Sequence, residues 1–136
     1  MIELDTEAAP QTVQSFTRSA REGRYDGVPF HRVVPNFVAQ GGDYFRRDGW
    51  GGPPTPIRSE FSRLGYRTGT VGMASSGKDT EGVQFFITHS PQPHLDGRYT
   101  VFGRVVRGQD VVDALRVGDL IRSARVLSIP DADSDS

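Results

Sequence analysis

The chain contains no cysteine, which excludes disulfides, thiolate catalysis and cysteine-based metal sites and leaves the redox compartment open. No stretch approaches the roughly 18 consecutive apolar residues of a membrane helix. Met1–Asp5 carries two acids where a signal peptide would be basic and apolar, so cytoplasm is the default location and no membrane partner is expected. Charge of one sign is missing as well. Sixteen Lys+Arg face seventeen Asp+Glu for a net charge of -1, which removes the electrostatic footing of general nucleic-acid binding. Lysine is nearly absent: Lys78 stands alone among the arginines, a bias that codon usage explains more simply than arginine chemistry.

Motifs of group-transfer chemistry are missing too. His31, His89 and His94 are the three histidines, and their spacing fits no zinc pattern. Ser75 and Ser76 lie outside any G-x-S-x-G elbow. The glycine pairs at 41–42 and 51–52 belong to neither a dinucleotide fingerprint nor a P-loop. No cofactor or metal is expected.

What is present is a core-forming composition. Leu, Ile, Val and Phe make up about a quarter of the 136 residues, above the level at which chains fail to build a core, and the length suits one domain. Sixteen Gly and nine Pro predict many turns and few long helices. Met1–Asp5 alternates as a strand. Pro10 opens a short amphipathic helix with Val13, Phe16 and Ala20 inward, and Gly23 stops it. Phe30–Val34 and Phe37–Gln40 are β-rich runs about the turn dipeptide Pro35-Asn36. Gly41–Ile57 is a long loop of the kind that carries function or is ordered by neighbours. Thr70–Ala74, Val83–Thr88 and Tyr99–Val106 predict further strands. Gln109–Leu115 predicts a helix with Val111, Val112 and Leu115 inward. Arg122–Ile129 predicts a last strand, with Ala124, Val126 and either Leu127 or Ile129 inward. Residues 1–129 form one domain in this reading, and 130–136 an acidic, disordered tail. Seven or so short strands, two short helices and no βαβ alternation favour an all-β sandwich or barrel.

Within the strands, polar residues sit where core is expected. Alternation places Phe30, Arg32 and Val34 on one face, Val38 and Gln40 on one face, and Gln84, Phe86 and Thr88 on one face. A buried arginine needs partners, which Gln40 and Gln84 can supply; solvated polar faces on edge strands are the plainer alternative.

The segment Phe30–Asp43 (FHRVVPNFVAQGGD) resembles the signature of the cyclophilin family of peptidyl-prolyl cis-trans isomerases. Met73-Ala74 with Gln84-Phe85-Phe86-Ile87 is similar to that family's second block, and Leu95-Asp96-Gly97 with Val101-Phe102-Gly103 to its third. The resemblance runs in order over about Ile2–Ile129. It implies a cyclophilin-like antiparallel β-barrel, eight-stranded and capped by two helices, with an active-site groove on the outer surface. By position it implies that Arg32 is the catalytic arginine, acting with Phe37 and Gln40. Val38, Phe86 and Leu95 would complete the proline pocket with Phe37. Gln84 would be a polar partner, and Ala74 and Ser75 would pair with the substrate backbone. His94 stands where many members carry tryptophan, so weak cyclosporin binding is expected. Tyr99 replaces a common histidine, and Val38 a common methionine.

The family's first strand is missing ahead of Met1–Asp5, which suggests upstream residues in a longer parent or another segment closing the gap. Implied partners are proline-containing peptides and unfolded or flexible protein segments. A binding module using the same groove without turnover is the competing reading, and nucleic-acid binding through Arg46-Arg47 a remote third.

Overall fold

The computed structural model of the chain describes residues 1–76 and 79–127; the expected tail at 130–136, and Ile129 at the end of the last expected strand, lie outside them. Six strands form one antiparallel sheet: β1 (Ile2–Leu4), β2 (Arg32–Val34), β3 (Val38–Gly41), β4 (Thr70–Met73), β5 (Phe85–Thr88) and β6 (Val101–Val105). Two helices accompany it, α1 (Pro10–Arg21) and α2 (Gln109–Ala114). The strand order is β1-β6-β4-β5-β3-β2, so among the described residues the outer edges of β1 and β2 are unpaired and the sheet does not close. The mostly antiparallel, two-helix architecture agrees with the expected class.

Local chemistry accounts for the elements. Pro10 occupies the first turn of α1, and Ala9 at its N-cap has no capping side chain. Glu60 supplies the cap instead, accepting from Gln11 N at 3.1 Å, Thr12 N at 2.7 Å and the Thr12 hydroxyl at 2.7 Å. A carboxylate there complements the helix dipole, as do Arg18 and Arg21 in the last turn. In the β2–β3 turn, Asn36 adopts φ 60° and Phe37 N donates to Val34 O at 3.0 Å. Asn tolerates that left-handed conformation better than most residues.

One face of the sheet packs on α1. Val13 and Ala20 are buried there with Tyr25, Phe30, Ala39, Val71, Met73, Phe85, Ile87 and Phe102. Phe16 bridges them, its ring 4.9 Å from Phe102 and 5.5 Å from Phe85.

Three expectations are corrected. Arg122–Leu127 forms no strand; a ladder needs a partner, and this segment is instead held by Ile121 N to Val28 O, Gly27 N to Ile121 O and Ala124 N to Asp26 Oδ1. Ala124 and Val126 still pack on the core, while Leu127 is exposed. Val111 points outward, 62% exposed, because Val112 and Leu115 three apart already define the inward face of so short a helix. Phe30 does not share the face of Arg32. It precedes β2, exchanges backbone bonds with Gly118 and Asp119, and turns into the core.

Candidate active site

Strand register assembles a row of side chains across four strands. Arg32 on β2 pairs with Gln40 on β3, Gln40 with Phe86 on β5, and Phe86 with Gly72 on β4. Directly paired residues lie on the same face. Here that is the face away from α1, where a second buried cluster forms from Val38, Tyr66, Phe86, Leu95 and Val101, flanked by Phe37, Ala74 and Tyr99. The alternation of β5 separates the two clusters: Phe85 and Ile87 point one way, Phe86 the other.

The second cluster opens into a cavity of about 210 Å³ lined by Arg32, Phe37, Val38, Gln40, Ala74, Ser75, Phe86, Leu95 and Tyr99. Nine of the eleven residues singled out from the sequence therefore converge on one hollow. Gln84 stands behind it, and His94 is exposed at the rim, its ring tilted 31° to Phe37 with 5.7 Å between centroids. Leu95 enters from a single 3₁₀ turn, Pro93–Leu95. Ala74 is held beside the cavity by its N–H on Gln84 O at 2.9 Å.

Arg32 is exposed on an edge strand, so the expected problem of a buried charge does not arise. Its Nη1 donates to Gln40 Oε1 at 3.4 Å, and its guanidinium carbon lies 5.7 Å from the Phe37 ring centroid. Gln84 serves Arg32 only through Gln40, whose Nε2 donates to Gln84 Oε1 at 3.2 Å. The lining carries one cation and no carboxylate, which suits a reaction with no proton to transfer. Behind β2, burial lowers the His31 pKa; Asp43 and Asp48 oppose that and Arg32 adds to it.

The sequence reading missed what lies under the cavity. Tyr66 stacks on Phe86 at 5.5 Å and 21°, and Phe86 meets Tyr99 edge-on at 5.7 Å. A Cβ on Gly72 would stand 2.5 Å from the Tyr66 hydroxyl and 2.6 Å from Phe86 Cζ. Glycine at that position is what lets the two rings meet over the strand. A glycine inside an apolar strand run is itself a signal of such close approach. Asp43, which in the sequence only ends the Phe30–Asp43 motif, organises the adjoining loop through four backbone N–H bonds.

A family model for cyclophilin type peptidyl-prolyl cis-trans isomerases matches residues 1–130. The chain belongs to the cyclophilin family. Among its relatives, peptidyl-prolyl cis-trans isomerase B of Bacillus subtilis is 48% identical over 126 residues, covering 91% of this chain and 87% of that protein. A peptidyl-prolyl cis-trans isomerase of Synechococcus elongatus is 44% identical over 122 residues, covering 88% and 83%. The crystal structure of a Cryptosporidium parvum cyclophilin, determined in the presence of the dipeptide Ala-Pro, superposes with a TM-score of 0.78 at 32% identity over 83% of this chain and 77% of that one. This cyclophilin is thus an enzyme, a peptidyl-prolyl cis-trans isomerase acting on proline-containing peptides and proteins. Among its described residues no group of three His, Cys, Asp or Glu is placed to hold a metal, and no helix is long and apolar enough to cross a membrane.

A second and larger hollow, about 720 Å³, lies between α1 and the loop at Tyr44–Ile57. It is shallow, shares no residue with the row described above, and carries mostly polar side chains from α1.

Proposed function

We propose that the 210 Å³ cavity takes the proline ring of the substrate and that Arg32 lowers the barrier to rotation about the preceding bond. The observation that carries this is a single guanidinium held by Gln40 and Phe37 at the lip of a hollow whose lining includes Phe37, Val38, Phe86 and Leu95. Rotation about X-Pro meets a barrier of roughly 18–20 kcal/mol because the C–N bond must lose its resonance. In the twisted transition state the proline nitrogen pyramidalises and regains a lone pair, and Arg32 donates a hydrogen bond to it. The planar ground state offers no such acceptor, so the interaction is specific to the transition state.

Phe37, Val38, Phe86 and Leu95 grip the ring, and the backbone at Ala74 and Ser75 pairs with the substrate chain. Tyr99 walls one side, and His94 with Gln84 supports the rim and the polar row. Uncatalysed exchange takes tens to hundreds of seconds. Reaching roughly 10–1,000 per second requires about 4–7 kcal/mol, within reach of one charge-assisted hydrogen bond, ring burial and fixed orientation together. No cofactor enters.

The substrates are proline-containing segments of flexible or unfolded chains, handled by one domain over residues 1–129. A nucleic acid is not among the proposed partners: the net charge of -1 gives it little electrostatic footing, and Arg46 and Arg47 already have partners in Asp48 and Gly27 O. The exposed His94 gives a drug such as cyclosporin little to pack on, and weak binding follows.

An NMR exchange assay on an X-Pro peptide, wild type beside Arg32→Ala, tests the mechanism. Fast exchange that collapses in the variant supports it. Peptide binding without acceleration in a folded wild type would make the groove a binding module instead.

A further inference from the structure

Arg32 is exposed, and its hydrogen bond to Gln40 is long, 3.4 Å; a buried carboxylate lies at the far end of the same row. Asp43 is fully buried. Its Oδ1 accepts from Phe45 N at 3.1 Å and Arg46 N at 2.9 Å, and its Oδ2 from Gly49 N and Gly51 N, both at 2.9 Å. The same two glycines turn their carbonyls the other way, where both accept from Gln84 Nε2, at 2.7 and 3.0 Å. Gln84 therefore spends its amide nitrogen on the loop and presents its oxygen to Gln40 Nε2 at 3.2 Å. Gln40 in turn presents its own oxygen to Arg32 Nη1.

The amides of this row are oriented in one consistent direction, from the loop carbonyls to Arg32. An amide side chain can face a neighbour with its oxygen or its nitrogen. A reversed Gln40 would offer N–H groups to a guanidinium that itself only donates. Asp43 accepts at both oxygens and so pins the loop at the Gly49 and Gly51 N–H groups; the next peptide planes carry the two carbonyls toward Gln84, the Gly49 carbonyl with Trp50 N held on Asp48 Oδ1 at 2.9 Å. Backbone shape serves the same end. Gly49 adopts φ +96°, and a Cβ at Gly51 would run into Asp43 Oδ1.

We propose that Asp43 is a positioning residue for isomerisation. Through the Gly49 and Gly51 peptides, Gln84 and Gln40, it sets the orientation in which Arg32 waits for the proline nitrogen. The proposal rests on Arg32 being the acting donor. Asp43 touches no substrate, and the apolar grip on the ring does not depend on it. Its loss therefore shows in turnover and leaves binding alone.

The test compares Asp43→Asn, Gln84→Leu and Arg32→Ala, with the Asp43→Asn/Arg32→Ala double variant, measuring kcat and KM on an X-Pro peptide at a temperature where each is folded. Asparagine presents donors to one pair of N–H groups and so releases half the loop. Gln84→Leu cuts the row at its middle and spares the Asp43 turn, which keeps the proposal testable should Asp43→Asn fail to fold. Expected are a kcat lower by roughly tenfold or more in both single variants, KM within about twofold, and no further loss when Asp43→Asn is added to Arg32→Ala. Wild-type kcat in folded Asp43→Asn or Gln84→Leu, or an undiminished further loss in the double variant, overturns the positioning role while Arg32→Ala alone remains inactive. Wild-type kcat in Arg32→Ala overturns both this proposal and the mechanism beneath it.

Discussion

The two faces of one sheet show how the same strands serve stability and chemistry. Toward α1, the alternating residues Ala39, Val71, Met73, Phe85, Ile87 and Phe102 meet a helix and close on themselves. On the opposite face Val38, Phe86 and Leu95 are almost as well buried, but among the described residues no α-helix covers them, and their packing ends in a hollow with an arginine at its lip. Burial of these residues supports the fold as that of Phe85 and Ile87 does. What sets them apart is that their cluster borders a cavity, which leaves room for a further apolar group. Burial alone therefore does not identify a core: what matters is whether the far side of the cluster is protein or solvent.

Each face can be disabled without the other. Phe102 is fully buried on the α1 side, and Phe102→Ala should cost about 3–5 kcal/mol, read by denaturant unfolding, while the molecules that remain folded keep their turnover. Arg32→Ala should do the reverse. Turnover falls about 100-fold or more, and unfolding free energy stays within about 0.5 kcal/mol of wild type, as for other exposed residues.

Two fully buried carboxylates sharpen the picture further. Burial opposes ionisation of Asp43, but its four backbone N–H bonds outweigh burial and hold the carboxyl at about 2. A folded pKa below the unfolded value near 3.8 stabilises the protein above pH 4, and that contribution, about 2 kcal/mol, is lost as pH falls from about 4 to about 2. Acid unfolding of Asp43→Asn should lack this slope. Glu81 behaves oppositely. Burial raises its pKa against the Ser59 hydroxyl bond, so its contribution is present in acid and lost as pH rises through the folded pKa. Glu81→Gln should flatten that dependence in pH-resolved thermal unfolding.

Much of this was legible from local chemistry. Pro10 with Val13, Phe16 and Ala20 announced α1; Pro35-Asn36 announced the β2–β3 turn; Arg32, Gln40, Gln84 and Phe86 stood out as polar and aromatic residues at strand positions that share a face. What was not legible depends on distant partners. Glu60 caps a helix 48 residues away, Tyr66 lies beneath Phe86 from 20 positions earlier in the chain, and Arg122–Leu127 has strand-like alternation but no strand beside it. Periodicity records which way a side chain faces, and says nothing of whether a ladder partner exists. Asp43 illustrates the same limit. Its four acceptor contacts span only eight residues, but their effect on Arg32 passes through Gln84, which the sequence places far along the chain.

The central claim is that the proline ring enters the uncovered cluster and not the larger hollow beside α1. Titrating the protein with an X-Pro peptide and following side-chain NMR resonances tests it directly. The account predicts that Val38, Phe86, Leu95 and Tyr99 shift while Ile57, Val83 and Phe45 around the larger hollow stay in place. Saturable shifts confined to Ile57, Val83 and Phe45, with Val38 and Phe86 unmoved, would contradict it.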